Sequence, residues 1–253
     1  MRKFQIALTF LTRIPLPQPQ EVTAEEFTQS QFYYPLVGVV IGGALSLASY
    51  LLSTVYPPLI VAALILALEL LLTGGIHLDG FMDSMDGLLS ARSPERMLEI
   101  MKDSHVGAFG AVSAFIYLLL KFTLLAELLA LGSPLGLWLI FFMPVLSRWI
   151  FLISIHFFPY ARAQGLGKGF HETSRQTKGI FFVEGIFLLC GTYWFLHWPG
   201  VLGFALAALF VTVFSRRVSR LLGGLTGDLY GANLEMAELI FLLGVFPFLY
   251  CLI

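Results

Sequence analysis

Charge is what this sequence has least of. Only 12% of its 253 residues are Asp, Glu, Lys or Arg, about half the roughly 25% of a soluble domain. With 58% hydrophobic residues, too little polar surface is left to face water, and lipid is the implied solvent. The net charge of -1 excludes the basic face that nucleic-acid binding requires. Cysteine is nearly absent: Cys190 and Cys251 stand alone in apolar runs, which excludes a disulfide framework or a zinc site and predicts two small buried hydrophobes. A P-loop is missing too, which excludes a Walker-type ATPase. The opening "MRKFQIALTFLTRIPLPQP" imitates a secretory leader, yet Arg13 interrupts it and no small-residue cleavage site follows. It reads as an interfacial helix ended by Pro15, Pro17 and Pro19.

What the sequence does have is long apolar runs. About 20 such residues cross the hydrocarbon of a bilayer as a helix. Candidate spans lie at roughly 36–56, 59–75, 107–131, 135–158, 180–198, 200–221 and 235–253. The chain therefore reads as one all-α, polytopic membrane domain over 1–253, with about seven transmembrane helices and further interfacial or cytoplasmic helices at the N-terminus and near 94–104. The tight breaks "YPP" (56–58), "GSP" (132–134) and "WPG" (198–200) contain no Lys or Arg. The polar gaps 1–34, 76–106, 159–179 and 215–233 hold 13 of the 15 basic residues. Basic loops stay cytoplasmic, so the N-terminus and every polar gap are expected on the cytoplasmic side of a bacterial or archaeal inner membrane.

One polar gap opens with "HLDGFMDSMDG". Asp79, Asp83 and Asp86 are spaced i, i+4, i+7, within an arc of about 60° on one helical face. Stacked carboxylates repel unless a cation sits between them, and more so at a membrane edge. Mg²⁺ suits such oxygen ligands and bridges one or two carboxylates to substrate phosphates. Gly80 and Gly87 would let a phosphate approach the backbone. Glu69, inside the preceding run, must be protonated or paired with a neighbour such as Arg148. In "SARSPERMLEIMKDSH", Ser93 and Pro94 start a helix. Met97, Ile100 and Met101 form its apolar stripe, and Glu99 and Asp103 form a second acid pair. Folded back on the first cluster, this helix would bring five acids together, enough for two metals or for one metal and a general base.

Two later stretches supply further candidates. "YARAQGLGKGF" offers Arg162, Gly165, Gly167 and Lys168, a basic, glycine-rich loop of the kind that wraps phosphates. "GGLTGDLYGANLEMAE" offers Asp228, with Asn233 as a helix cap and Glu235 and Glu238 opening the last span.

Taken in order, "FLTRIPLP", "YYPLVGVVIG", "TGGIHLDGFMDSMDGL", "RMLEIMKDSHVGAFGA", "GLGKGF" and "GGLTGDLYGA" resemble the successive blocks of the cobalamin synthase family, the adenosylcobinamide-GDP ribazoletransferases, from about residue 4 to 238. The resemblance implies a Mg²⁺-dependent membrane enzyme that joins adenosylcobinamide-GDP to α-ribazole or its phosphate, releasing GMP. The product would be adenosylcobalamin or its phosphate, a late step of cobalamin assembly at the cytoplasmic face. Asp83, Asp86, Gly87, Ala91, Arg92, Glu99 and Asp103 are also similar to the signature of membrane CDP-alcohol phosphotransferases, with one extra residue before Ala-Arg and Glu in place of an Asp. That likeness implies the first acids as metal ligands and Asp103 as the base; with the spacing of the two acid clusters, Asp79, Asp83, Asp86, Glu99 and Asp103 are the metal candidates, Asp103, Asp83 and Asp86 the catalytic ones, and Arg92 a substrate contact. A homo-oligomer is left open. The rival class, a cation transporter, calls for mid-membrane ionisable groups or broken helices in repeated halves. The acid block has no repeat in the second half of the chain.

Overall fold

The computed structural model describes residues 1–17, 19–162 and 178–251. Among these the protein is helical, with one isolated bridge and no strand. An amphipathic helix, α1 (Arg2–Leu11), buries Ile6, Ala7, Leu8 and Leu11. The next, α2 (Ala24–Ser30), starts at a capping box in which Thr23 and Glu26 exchange side-chain and backbone bonds, satisfying donors a helix start leaves open. The apolar helix α3 (Tyr34–Leu52) packs chiefly on α8 (Pro134–Phe157). Gly38 and Gly42, one turn apart, face the α8 backbone around Pro144, where a Cβ at Gly38 would stand 2.6 Å from the Val145 Cα. Small residues at that spacing let membrane helices approach closely. The α8 helix is the centre of the bundle, buried from Leu139 to His156 apart from Phe141 and Trp149.

The run α4 (Pro58–Thr73) ends at Gly74 and Gly75, both left-handed with φ 68° and 66°. Glycine adopts that backbone without the Cβ penalty, and the chain turns 91° into α5 (Ile76–Leu89). The stretch read as a polar gap therefore begins with a helix lying across the end of α4. It is followed by α6 (Pro94–Ile100), capped by Ser93 as expected and burying Met97, then by α7 (Ala108–Ala130). The long α9 (Lys178–Leu222) breaks at His197, whose φ is 52°. Phe181 and Phe204 both pack on Trp149, at ring-centroid distances of 4.4 and 5.3 Å. On a straight helix they would be about 35 Å apart, so the chain doubles back beside "WPG". The last helix, α10 (Gly227–Val245), starts eight residues earlier than the sequence suggested, with Thr226 as its cap. Asn233 is consequently not a cap. It lies inside the helix and donates to Ser154 (2.7 Å) and Ser215 (2.9 Å).

Five helices among the described residues are long and apolar enough to cross a membrane, and α4 with α5 makes a sixth if the bent pair is one span. Large apolar side chains stand exposed along them, Leu71, Phe187 and Trp194 among the most open, as a lipid-facing surface requires. Tyr50, Tyr56, Trp138, Tyr193, Trp194 and Trp198, all exposed, lie near the tight turns in sequence, where amphipathic rings belong. Cys190 is also exposed, contrary to the buried position expected. It sits on the outer face of α9, where an apolar thiol loses nothing by facing lipid.

Four helices are tied together by buried charge. Lys121 of α7 contacts Glu69 of α4 (2.8 Å), Glu235 of α10 (3.8 Å) and Glu238 of α10. Arg148 of α8 takes the other oxygen of Glu238, and Ser147 donates to it from 2.9 Å. Tyr117 donates to Glu235. Glu69 thus finds its cation in Lys121 rather than Arg148, and Glu235 and Glu238 lie within α10 rather than at its opening. Removing one partner of a buried pair leaves an uncompensated charge and costs about 3–5 kcal/mol. Glu238→Ala is expected to lower stability by that order in detergent unfolding. Arg96→Ala, which opens the exposed Arg96–Glu99 pair, should change it by less than about 1 kcal/mol.

Candidate active site

The acidic face is assembled where α5 crosses the start of α10. Gly80 is what permits the crossing: a Cβ there would stand 2.9 Å from the Asp228 carbonyl oxygen and 3.0 Å from its Cα. Gly87 similarly admits α6, since a Cβ would come within 2.9 Å of the Met97 carbonyl oxygen. The two glycines admit protein backbone, not a phosphate as the sequence had suggested. The Tyr160–Leu225 bridge, with Ala161 N–H donating to Leu225 O and Leu225 N–H to Pro159 O (both 2.8 Å), joins the segment leaving α8 to the one entering α10. It delivers Arg162 to Asp228, with Nη2 2.7 Å from Oδ2. The same nitrogen reaches the Met101 carbonyl oxygen (3.4 Å) at the end of α6, and Thr226 donates to Asp228 (3.3 Å). The charges around Asp83 are those of Asp79, Asp228, Asp86 and Arg162. Asp228, far away in sequence, is therefore a full member of the acidic rim.

The three α5 acids have different surroundings. Asp79 is exposed and Asp83 half-buried. Asp86 is buried, and its two oxygens accept the backbone N–H groups of Gly107 and Gly110, each at 2.8 Å. It supplies the anion that the open donors at the start of α7 favour. The second pair stands apart from the first. Glu99 bonds Arg96 (2.7 Å), and Asp103 bonds the Nδ1 of His105 (2.6 Å). The side chain and backbone N–H of His105 hold Asp103 below the usual carboxylate range, and Asp103 holds His105 above its own. No three acids or histidines among the described residues converge as a ready-made metal cage, so the five acids do not meet in one group. Local partners claim three of them. Arg92 is exposed, on a turn whose Ala91 is left-handed at φ 53°. Gly165, Gly167 and Lys168 lie outside the described residues.

Beside the rim, Asp79 and Asp228 open on a cavity of about 270 Å³ whose walls include Phe10, His77, Phe151, Tyr160 and Tyr230. The cavity is not legible in the sequence, because its walls come from α1, α5, α8 with the segment after it, and α10, and Tyr230 and His77 are adjacent to the acid motifs without any spacing of their own that marks a pocket. The donor set of the rim is all carboxylate oxygen. Mg²⁺ is commonly held by one or two carboxylates with waters and substrate phosphates completing the shell, so Asp79 and Asp83, one turn apart with Asp228 opposite, suit it without a closed cage.

The model of the CobS family, cobalamin-5-phosphate synthase, matches residues 3–246. A protein of Desulfitobacterium hafniense (strain Y51) named adenosylcobinamide-GDP ribazoletransferase is 74% identical over 250 residues, covering 99% of this chain and 98% of its own length. Proteins of the same name from Brevibacillus brevis and Fusobacterium nucleatum are 40% and 34% identical, each match covering 96% of this chain. No solved structure matches. With the family model covering nearly the whole chain and an acidic rim at one end of the bundle, the chain belongs to the cobalamin-5-phosphate synthase family.

Proposed function

We propose that the rim of Asp79, Asp83 and Asp228 is where this chain joins adenosylcobinamide-GDP to ribazole or its phosphate, with Mg²⁺ as cofactor. The observation that carries this reading is the pair Asp79 and Asp228 lining a mostly apolar cavity, with Arg162 bound to Asp228 and Asp83 one turn along α5 from Asp79, in a chain 74% identical to a protein named for that reaction. A ribose hydroxyl of ribazole attacks the cobinamide-side phosphorus of the diphosphate. The P–O bond to the guanosine phosphate breaks, GMP departs and a phosphodiester forms. Asp79 and Asp83 would hold Mg²⁺, which when bound would supply charge neutralisation for the diphosphate and the departing GMP. Arg162 keeps Asp228 aligned while turning charge toward phosphate oxygens. Asp103 takes the hydroxyl proton, held ionised by His105. The bond from Arg162 Nη2 to the Met101 carbonyl oxygen ties the end of α6, two residues before Asp103, to the residue that holds Asp228. Arg92 and the stretch with Gly165, Gly167 and Lys168 contact phosphates. Asp86 positions: it binds α7 to α5 and so fixes the helix that carries Asp83.

The basic gaps put this rim, the N-terminus and all polar segments on the cytoplasmic side of the inner membrane. An N-terminal tag should then be cut by added protease in inverted vesicles and survive in intact spheroplasts; the reverse pattern would overturn the orientation.

GMP release by purified protein should need adenosylcobinamide-GDP, ribazole and Mg²⁺. Loss of one electrostatic group at such a centre costs about 10²–10³ in kcat, the fall expected of Asp83→Asn. Full turnover by that variant, or with a chelator present, sinks the metal assignment. Asp86→Ala separates positioning from chemistry, because it strands two N–H groups and should lower thermal stability by about 1–3 kcal/mol, whereas Asp83→Asn should leave unfolding unchanged.

A further inference from the structure

The cavity beside the rim has an unusual polar inventory. Phe10, Ile76 and Phe151 give it hydrocarbon walls, and Tyr160 and Tyr230 add rings whose centroids lie 6.3 Å apart. Two of its lining residues carry buried polar atoms with no hydrogen-bonding partner in the protein: the hydroxyl of Tyr230, a residue 3% exposed, and Nδ1 of His77, 6% exposed. Buried polar groups are usually satisfied; the Tyr230 hydroxyl, beside Tyr160 on the cavity wall, marks where a ligand acceptor belongs, whereas the His77 imidazole lies toward Arg148 and Glu238.

Size and chemistry narrow the ligand. At about 270 Å³ the space falls just below the ~300–1,000 Å³ that takes a whole drug-sized molecule, so a corrin macrocycle is far too large. Guanine carries polar groups along every edge and would leave most of them facing hydrocarbon, which is costly. The base of ribazole is different: a flat two-ring dimethylbenzimidazole with methyl-bearing carbon edges and a single free in-plane nitrogen, an acceptor. We infer that this cavity is the seat of the ribazole base, its rings packed between Phe10 and Phe151 and its free nitrogen accepting a hydrogen bond from the Tyr230 hydroxyl. Asp79 and Asp228 line the same cavity, so a base seated there carries its ribose at the acids. This assignment rests on the reaction proposed above and names the site of one of its two substrates.

The test is equilibrium dialysis of the full-length protein in detergent, which needs no turnover. The probes are radiolabelled α-ribazole and the matching dimethylindole riboside, in which C–H replaces the free nitrogen. One hydrogen bond corresponds to about tenfold in affinity. Unmodified protein should bind the indole riboside about tenfold more weakly than ribazole, and Tyr230→Phe should bind the two alike. Phe10→Trp, on a different helix, should weaken both ligands at least tenfold by crowding the rings. A tenfold preference that survives in Tyr230→Phe, or ribazole binding untouched by both variants, overturns the assignment. So does a Tyr230→Phe variant that weakens adenosylcobinamide-GDP instead. Binding that follows the expected pattern without GMP release would overturn the proposed reaction and leave the cavity assignment standing.

Discussion

Glu238 holds the bundle together. Its carboxylate joins Lys121 of α7 and Arg148 of α8 from within α10, and Lys121 goes on to Glu69 of α4. Charges removed from water this deeply repay their desolvation only when every partner is in place, so these helices have one register in which they can all meet. Lys121 and Arg148 are the two basic residues that lie outside the polar gaps. The chain keeps cations inside its apolar body only where they fix helix against helix, and the acidic rim stands on the frame so fixed.

That frame explains the division among the acids. A lone carboxylate in lipid is intolerable, and a carboxylate on a backbone amide pair is stable but occupied. Asp86 is of the second kind, bound by Gly107 and Gly110. Asp79 and Asp83 keep open coordination because α5 leaves α4 at 91° and lies across it, turning one face away from the core. Local geometry, set by two left-handed glycines, thus separates a bound acid from two open ones on a single helix.

Much of this was legible in the residues. The apolar runs and the exclusion of Lys and Arg from the tight breaks marked the bundle and its two unlike ends. The i, i+4, i+7 spacing marked the α5 face, and Ser93-Pro94 marked α6. What was not legible is long-range. Nothing near Glu69 announces Lys121, and nothing near Asp86 announces the start of α7 as its partner. The periodicity that tells of a helix is silent about which helix it meets. Asp228 was visible as an acid among glycines, but its partnership with Arg162 depends on a two-bond bridge between segments more than sixty residues apart. The beginning of α10 is hidden in the sequence because Thr226 caps it amid glycines, where composition resembles a loop.

Phe10 and Tyr230 line one cavity from opposite ends of the chain. Contacts so distant in sequence form late, after the intervening segment has found its place. A ribosome-bound fragment reaching only through α8 already carries Asp79, Asp83 and Asp86, yet it has neither Asp228 nor the wall that α10 provides. The cavity is therefore closed only once α10 has packed against α5, and a chain halted before that helix displays the α5 acids without the wall beside them.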